Sequence, residues 1–243
     1  MLKEAIEKIE SMAKPTTGEI NGHWYSILPS GDFKEIIPES ELPETIELSS
    51  LDAVVTMVET EAINQITPIL ISVPTATSVK VFSPTMDGPR NERITFYNAK
   101  ATDVPGWEPS AKMPFDQAAV ALQTRFQEGL DRDYCLQLLS NITCGAKVTY
   151  NDSGVATTVV TQKGIALQEN QAIKPLVKLR PYRTFQEVEQ PEGLFLIRID
   201  ERGITFTEAD GGMWKLAARK TVAEYLKDAL AQEIEQGTVK VML

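Results

Sequence analysis

The chain has 243 residues, with 24 Lys and Arg against 34 Asp and Glu and a formal net charge of -10. That balance excludes a broad DNA-coating surface, because sequence-independent affinity for phosphate backbones needs clustered positive charge, although a local basic groove stays compatible with it. At 42% hydrophobic and 24% charged residues the composition is that of a globular protein with a sizeable core, and the length suits one large domain or two small ones.

Residues 2 to 13 read as an amphipathic helix, with Leu2, Ala5, Ile6, Ile9 and Ala13 at helical spacing and Pro15 and Gly18 at its end. A strand follows at Glu19 to Leu28, with Asn21-Gly22 as a turn signal. The excess negative charge is N-terminal: residues 1 to 63 hold 4 Lys and Arg against 13 Asp and Glu, and the remainder holds 20 against 21. Residues 29 to 47 concentrate it, with Asp32, Glu35, Glu39, Glu41, Glu44 and Glu47 among Pro29, Pro38 and Pro43. Prolines this close block regular helix, so the stretch reads as an acidic loop, either a solvated surface or an arm that docks on a basic partner or mimics nucleic-acid charge.

Ser49-Ser50-Leu51-Asp52 resembles a capping box ahead of a second helix that ends near Ile63. Short β-branched runs at Ile69 to Val73, Val79 to Phe82 and Ile94 to Tyr97 then predict three antiparallel strands. Phe115, Ala118, Ala119, Leu122 and Phe126 form one helical stripe, Gly129 breaks it, and Cys135, Leu138, Leu139 and Ile142 form another, with Asp131 as its cap. These make a helical hairpin of residues 115 to 142. A β-hairpin is expected at Lys147 to Tyr150 and Val155 to Thr161, and further strands at Leu176 to Arg180, Leu194 to Ile199 and Ile204 to Thr207. A capping box at Thr221 to Glu224 predicts a terminal helix.

Helices and strands cluster without alternating, which predicts an α+β fold: mainly antiparallel sheet, an inserted helical hairpin and flanking N- and C-terminal helices. No linker or repeat divides the chain, so a single compact unit over 1 to 243 is expected. Cys135 and Cys144 are too few for a disulfide framework and fit a reducing cytoplasm. The N-terminus lacks the basic and apolar regions of a secretory signal, and no run approaches the ~18 apolar residues of a membrane span, so no membrane association is expected.

Searches for catalytic patterns fail: GxGxxG, GxxxxGK[ST], GxSxG, HExxH and CxxC are all missing. His23 is the only histidine, which rules out a multi-histidine metal site in one subunit and reads as structural or exposed. Cys135 sits on an apolar stripe and reads as core, whereas Cys144 sits at a helix end with no base beside it in the sequence. Glu187 with Glu189 and Glu208 with Asp210 are the nearest carboxylate pairs, and each reads as a solvated edge. No catalytic residue, metal or cofactor is assigned.

Lys174, Lys178, Arg180 and Arg183 fall within ten residues free of acid. Strand alternation puts Lys178, Arg180 and Tyr182 on one face and Arg183 with Phe185 on the other, with Pro181 restricting the segment to an edge or strand end. Arginine beside aromatic rings suits phosphate or nucleobase recognition. The competing reading pairs these cations with Glu187, Glu189 and Glu192 at a turn or subunit contact.

Arg180-Pro181-Tyr182-Arg183-Thr184-Phe185, with Glu187-Val188-Glu189-Gln190-Pro191, resembles the signature of the YfdQ-like family of phage and prophage proteins. Ala121 to Phe126, Asp131 to Tyr134, Gly154 to Gly164 and Glu208 to Trp214 agree in order, and the likeness spans roughly residues 50 to 235. The resemblance implies a phage or prophage origin without an agreed activity. Lys178, Arg180, Tyr182, Arg183 and Trp214 are the candidate ligand-binding residues. The leading expectation is a non-enzymatic phage accessory protein in the host cytoplasm, a homo-oligomer that binds an anionic ligand, a nucleotide or nucleic-acid-like, or a host defence protein, in a counter-defence role. The alternatives are a metal-dependent nuclease or phosphodiesterase and a virion or assembly component.

Overall fold

A computed structural model describes residues 2–13, 16–28, 31–37, 42–62, 67–86, 92–143, 147–152, 157–163, 167–200 and 202–243. Contacts divide the chain into two compact units, residues 1–44 with 85–94 and residues 45–84 with 95–243, where the sequence suggested a single one. The first unit closes its own three-stranded sheet, a local ladder that needs no distant segment.

In that unit α1 (Leu2–Ala13) precedes β1 (Thr16–Ile20), β2 (His23–Ile27) and β3 (Phe33–Glu35), all antiparallel. Asn21 and Gly22 both take left-handed conformations, φ 54° and 83°, as a two-residue hairpin turn of this twist requires, so the expected single strand is a hairpin. The acidic stretch is correspondingly not all loop, since β3 lies within it. Pro29, Pro38, Glu39 and Glu41 fall outside the described residues.

The second unit holds two hydrophobic cores. In the first, β4 (Ile46–Leu48), β5 (Ile69–Thr75), β6 (Ser78–Phe82) and β7 (Thr95–Lys100) join a C-terminal strand in one sheet, and α2 (Leu51–Ala62) packs on it. The antiparallel triplet β5-β6-β7 is as expected, but both edges are parallel, because β4 pairs with β7 and the C-terminal strand with β5. Ser50 caps α2 by accepting the Ala53 amide at 3.2 Å.

The second core is built by β8 (Lys112–Met113), α3 (Phe115–Arg125) and α4 (Leu130–Thr143). The helical hairpin is thus present, and its two stripes bury Ala118, Leu122, Phe126, Cys135, Leu138, Leu139 and Ile142. Cys135 is fully buried, and burial, reinforced by Asp131, pushes its thiol up to about 12. Cys144 falls outside the described residues. A separate antiparallel sheet follows, β9 (Lys147–Asp152), β10 (Thr157–Lys163) and β11 (Leu167–Ala172), whose third strand the polar sequence Leu-Gln-Glu-Asn-Gln-Ala does not signal.

The hairpin helices face the sheet formed by β12 (Leu176–Leu179), β13 (Gly193–Asp200) and β14 (Gly203–Glu208), with β8 at its edge. Alternation along β12 and β13 buries Val177, Leu179, Phe195, Ile197 and Ile199 against them. The chain ends in α5 (Trp214–Ala229), α6 (Ala231–Glu235) and β15 (Val239–Met242), the last being the parallel edge strand above. The terminal helix begins seven residues before the Thr221 box. Thr221 lies inside it, its hydroxyl donating to the Ala217 carbonyl at 3.1 Å, and the left-handed Gly211 and Gly212 set the true start. Among the described residues no helix is long and apolar enough to cross a membrane. The α+β class with flanking helices holds.

Gly203 is irreplaceable on two grounds. Its φ is 143°, and a Cβ there would stand 2.0 Å from the Met113 carbonyl oxygen on the paired strand β8. Gly203→Ala is expected to cost about 2–3 kcal/mol and to lower the Tm by about 4–12 °C in calorimetry. An unchanged Tm would contradict this packing.

Candidate functional site

The arginine-proline segment runs from one core to the other. Leu179 belongs to the helical-hairpin core, whereas Phe185 and Val188 belong to the α2 core. Between them the chain is pinned on both sides. The Gln127 amide donates to the Arg180 carbonyl and the Tyr182 amide to the Arg125 carbonyl, each at 2.9 Å, so the α3–α4 connection forms a two-rung ladder with residues 180–182.

That ladder opens a cleft of about 370 Å³ between the start of α4 and β12, lined among others by Arg132, Lys174, Lys178 and Arg180. Lys178 Nζ lies 3.0 Å from Glu192, and Arg180 pairs with Glu189 and more loosely with Glu192 at 4.0 Å. The side chains of Lys178 and Arg180 are 64% and 40% exposed, so these pairs are surface pairs, each worth roughly 0–1 kcal/mol. Arg132, 14% exposed, reaches Glu128 at 3.7 Å and Asp133 at 3.3 Å.

Asp131 does not cap α4, which begins one residue earlier. Its carboxylate instead accepts Lys174 Nζ at 2.8 Å and the Lys178 amide at 2.7 Å, tying the helix start to β12. Burial alone would raise its pKa, but the Lys174 and Lys178 hydrogen bonds and charges prevail and hold it below the ordinary carboxylate value. A carboxylate with a depressed folded pKa stabilises the fold above its unfolded pKa and loses that contribution as the pH falls through the folded one. Asp131→Asn should therefore cost about 1–2 kcal/mol at pH 7 in urea unfolding, with the deficit shrinking towards pH 3. A deficit independent of pH would show that the carboxylate charge is not what holds the cleft.

The remaining candidates face elsewhere. Arg183 is 9% exposed, its guanidinium stacked on Trp214 at 3.9 Å from the ring centroid and 5.8 Å from that of Phe195. Nη1 donates to Glu208 at 2.8 Å and Nη2 to the Pro191 carbonyl at 3.2 Å. Gly193 makes room for it, since a Cβ there would lie 2.6 Å from Nη2. Burial pulls the Arg183 pKa down to about 10 against the opposing pull of Glu208 and Asp210, which leaves it cationic at neutral pH. Arg183 Nε and Trp214 Nε1 are buried without hydrogen-bond partners. Of the five candidates, the structure brings Lys178 and Arg180 into the cleft and stacks the buried Arg183 on the half-buried Trp214. Tyr182 is half-buried, like Arg180, and lies between the buried Pro181 and Arg183.

Comparison with protein-family models, with curated proteins and with solved structures finds no match. The site must be judged on its chemistry.

The carboxylates weighed for metal chemistry are each held by a named partner. Glu187 accepts the Leu51 amide at 2.6 Å, Glu189 pairs with Arg180, Glu208 with Arg183, and Asp210 accepts the Gly212 amide at 3.0 Å. Among the described residues no three His, Cys, Asp or Glu gather as a metal site. His23 belongs to the first unit, where its Nδ1 lies 2.6 Å from Glu35. Sequence reasoning missed Arg132 and the role of Asp131, whose only signal was the Asp-Arg-Asp-Tyr run, and Tyr134 of that run accepts the Lys174 amide at 2.9 Å.

Proposed function

We propose that this chain is a non-enzymatic, phage-encoded accessory protein that acts in the host cytoplasm as a homo-oligomer and binds an anionic ligand through its phosphate groups. The observation that carries the reading is the convergence of Arg132, Lys174, Lys178 and Arg180 on one cleft in a chain of net charge -10. A phosphate competes there with Glu189 and Glu192, which are 66% and 42% exposed, and with Glu128, Asp131 and Asp133, which pair with Arg132 and Lys174. Among the described residues no aromatic ring lines the cleft, and Trp214 is occupied by Arg183, so recognition rests on charge and leaves the base unread. The resemblance to the YfdQ-like phage proteins supports the phage setting, within which we propose a counter-defence role.

Calorimetric titration with pyrophosphate, ATP and a short single-stranded DNA tests it. Binding is expected to weaken with salt and to fall at least about tenfold in Lys178→Ala with Arg180→Ala, at little change in Tm. Equal affinity in the double variant, or no binding of any of the three by the native chain, would sink the reading.

A further inference from the structure

The described residues of the first unit form no interior of their own. Among its described residues not one is buried, and α1 is exposed along the described part of its apolar stripe, with Leu2 at 80%, Ile6 at 50% and Ile9 at 64%. A 12-residue helix without packing is marginal in water, and three strands need a covered face to persist. Something must cover this surface.

Leu2, Ile6 and Ile9 recur at intervals of four and three, the spacing of a two-stranded coiled-coil seam. Lys3 and Glu10 each follow a seam residue by one position, so both flank the same side of that seam with opposite charge. We infer that α1 packs antiparallel against α1 of a second copy of this chain across a two-fold axis. Antiparallel pairing sets Lys3 of one copy beside Glu10 of the other, and symmetry repeats the pair. A parallel pair would set these charges against the opposite flank, which offers Ala5. The helix carries Glu4, Glu7 and Glu10 against Lys3 and Lys8, a balance unsuited to an anionic membrane surface. Two short helices cover less than the ~1,200 Å² of a stable interface. The same unit supplies more apolar area, since Ile20 and Phe33 share one face of its sheet and are 52% and 63% exposed.

The inference rests on the homo-oligomeric part of the function proposed above and not on the cleft. Sedimentation equilibrium of the full chain tests it. The native chain is expected to dimerise at micromolar concentration, and Ile6→Glu with Ile9→Glu to give monomer. Lys3→Glu and Glu10→Lys each place like charges at both contacts and should weaken the dimer about tenfold, whereas an equimolar mixture of the two single variants should form heterodimers of native affinity. Packing of α1 within its own chain gives no such rescue. A monomeric native chain, a dimer that survives Ile6→Glu with Ile9→Glu, or a mixture no tighter than its components overturns the interface. A monomer that still binds pyrophosphate overturns it while leaving the cleft standing.

Discussion

Gln190→Ala is expected to be the most damaging single change in the arginine-proline segment, at about 4 kcal/mol and a fall in Tm of about 8–16 °C. Gln190 is 2% exposed and makes only backbone bonds. Its Oε1 accepts the Arg183 and Thr184 amides at 2.9 and 3.2 Å, and its Nε2 donates to the Phe185 and Val188 carbonyls at 2.8 and 3.3 Å. Alanine leaves two donors and two acceptors buried without partners, and each such orphan costs about 1–3 kcal/mol before any relaxation. Gln190→Glu should cost about as much at neutral pH, because an ionised carboxylate would be buried against the Phe185 and Val188 carbonyls, and less at low pH where it is protonated. Urea unfolding of both variants at neutral and low pH checks this, and an alanine variant within about 1 kcal/mol of native would mean that the turn does not depend on this amide.

The two arginines of the segment should behave in opposite ways. Arg183→Ala removes a guanidinium packed between Trp214 and Phe195, leaves a void, and strands the partly buried Glu208, which is 28% exposed. The expected cost is about 3–4 kcal/mol. Arg180→Ala breaks only surface pairs and should cost less than about 1 kcal/mol. Arg183→Met, which fills much of the space without a charge, should recover a good part of the loss, and more so combined with Glu208→Gln. Differential scanning calorimetry of the set decides it, and equal losses at the two positions would contradict the burial difference. For ligand studies Arg180 is therefore the informative position, while Arg183→Ala would confuse loss of binding with loss of fold.

Helix and strand identities followed from period wherever one face is buried, as in α3, α4, β12 and β13, because burial is what imposes the period. Signals failed where tertiary partners replaced local ones. Thr221 to Glu224 has the letters of a capping box, yet Gly211 and Gly212 had already turned the chain into the helix, so the hydroxyl of Thr221 became a mid-helix bond to Ala217. β4 and β8, of three and two residues, carry too few positions for a pattern and exist because a neighbouring strand edge is there to pair with. In the candidate site, the alternation of Lys178, Arg180 and Tyr182 against Arg183 was legible, and so was the rival reading of pairing with acids. The sequence could not place Glu208 beside Arg183, 25 residues away, nor Asp131 under Lys174, 43 residues away, since both contacts arise only when sheet and hairpin close.

The capping of α2 has a consequence for biosynthesis. The Leu51 amide waits for Glu187, 136 residues later, and Asp52 accepts the hydroxyl of Tyr225, 173 residues later. At about 5–20 residues per second the ribosome needs roughly 7–27 s to deliver the first of these partners. Until then the nascent helix lacks these two partners, so this part of the fold is completed only after the C-terminal segments emerge, although it lies early in the chain.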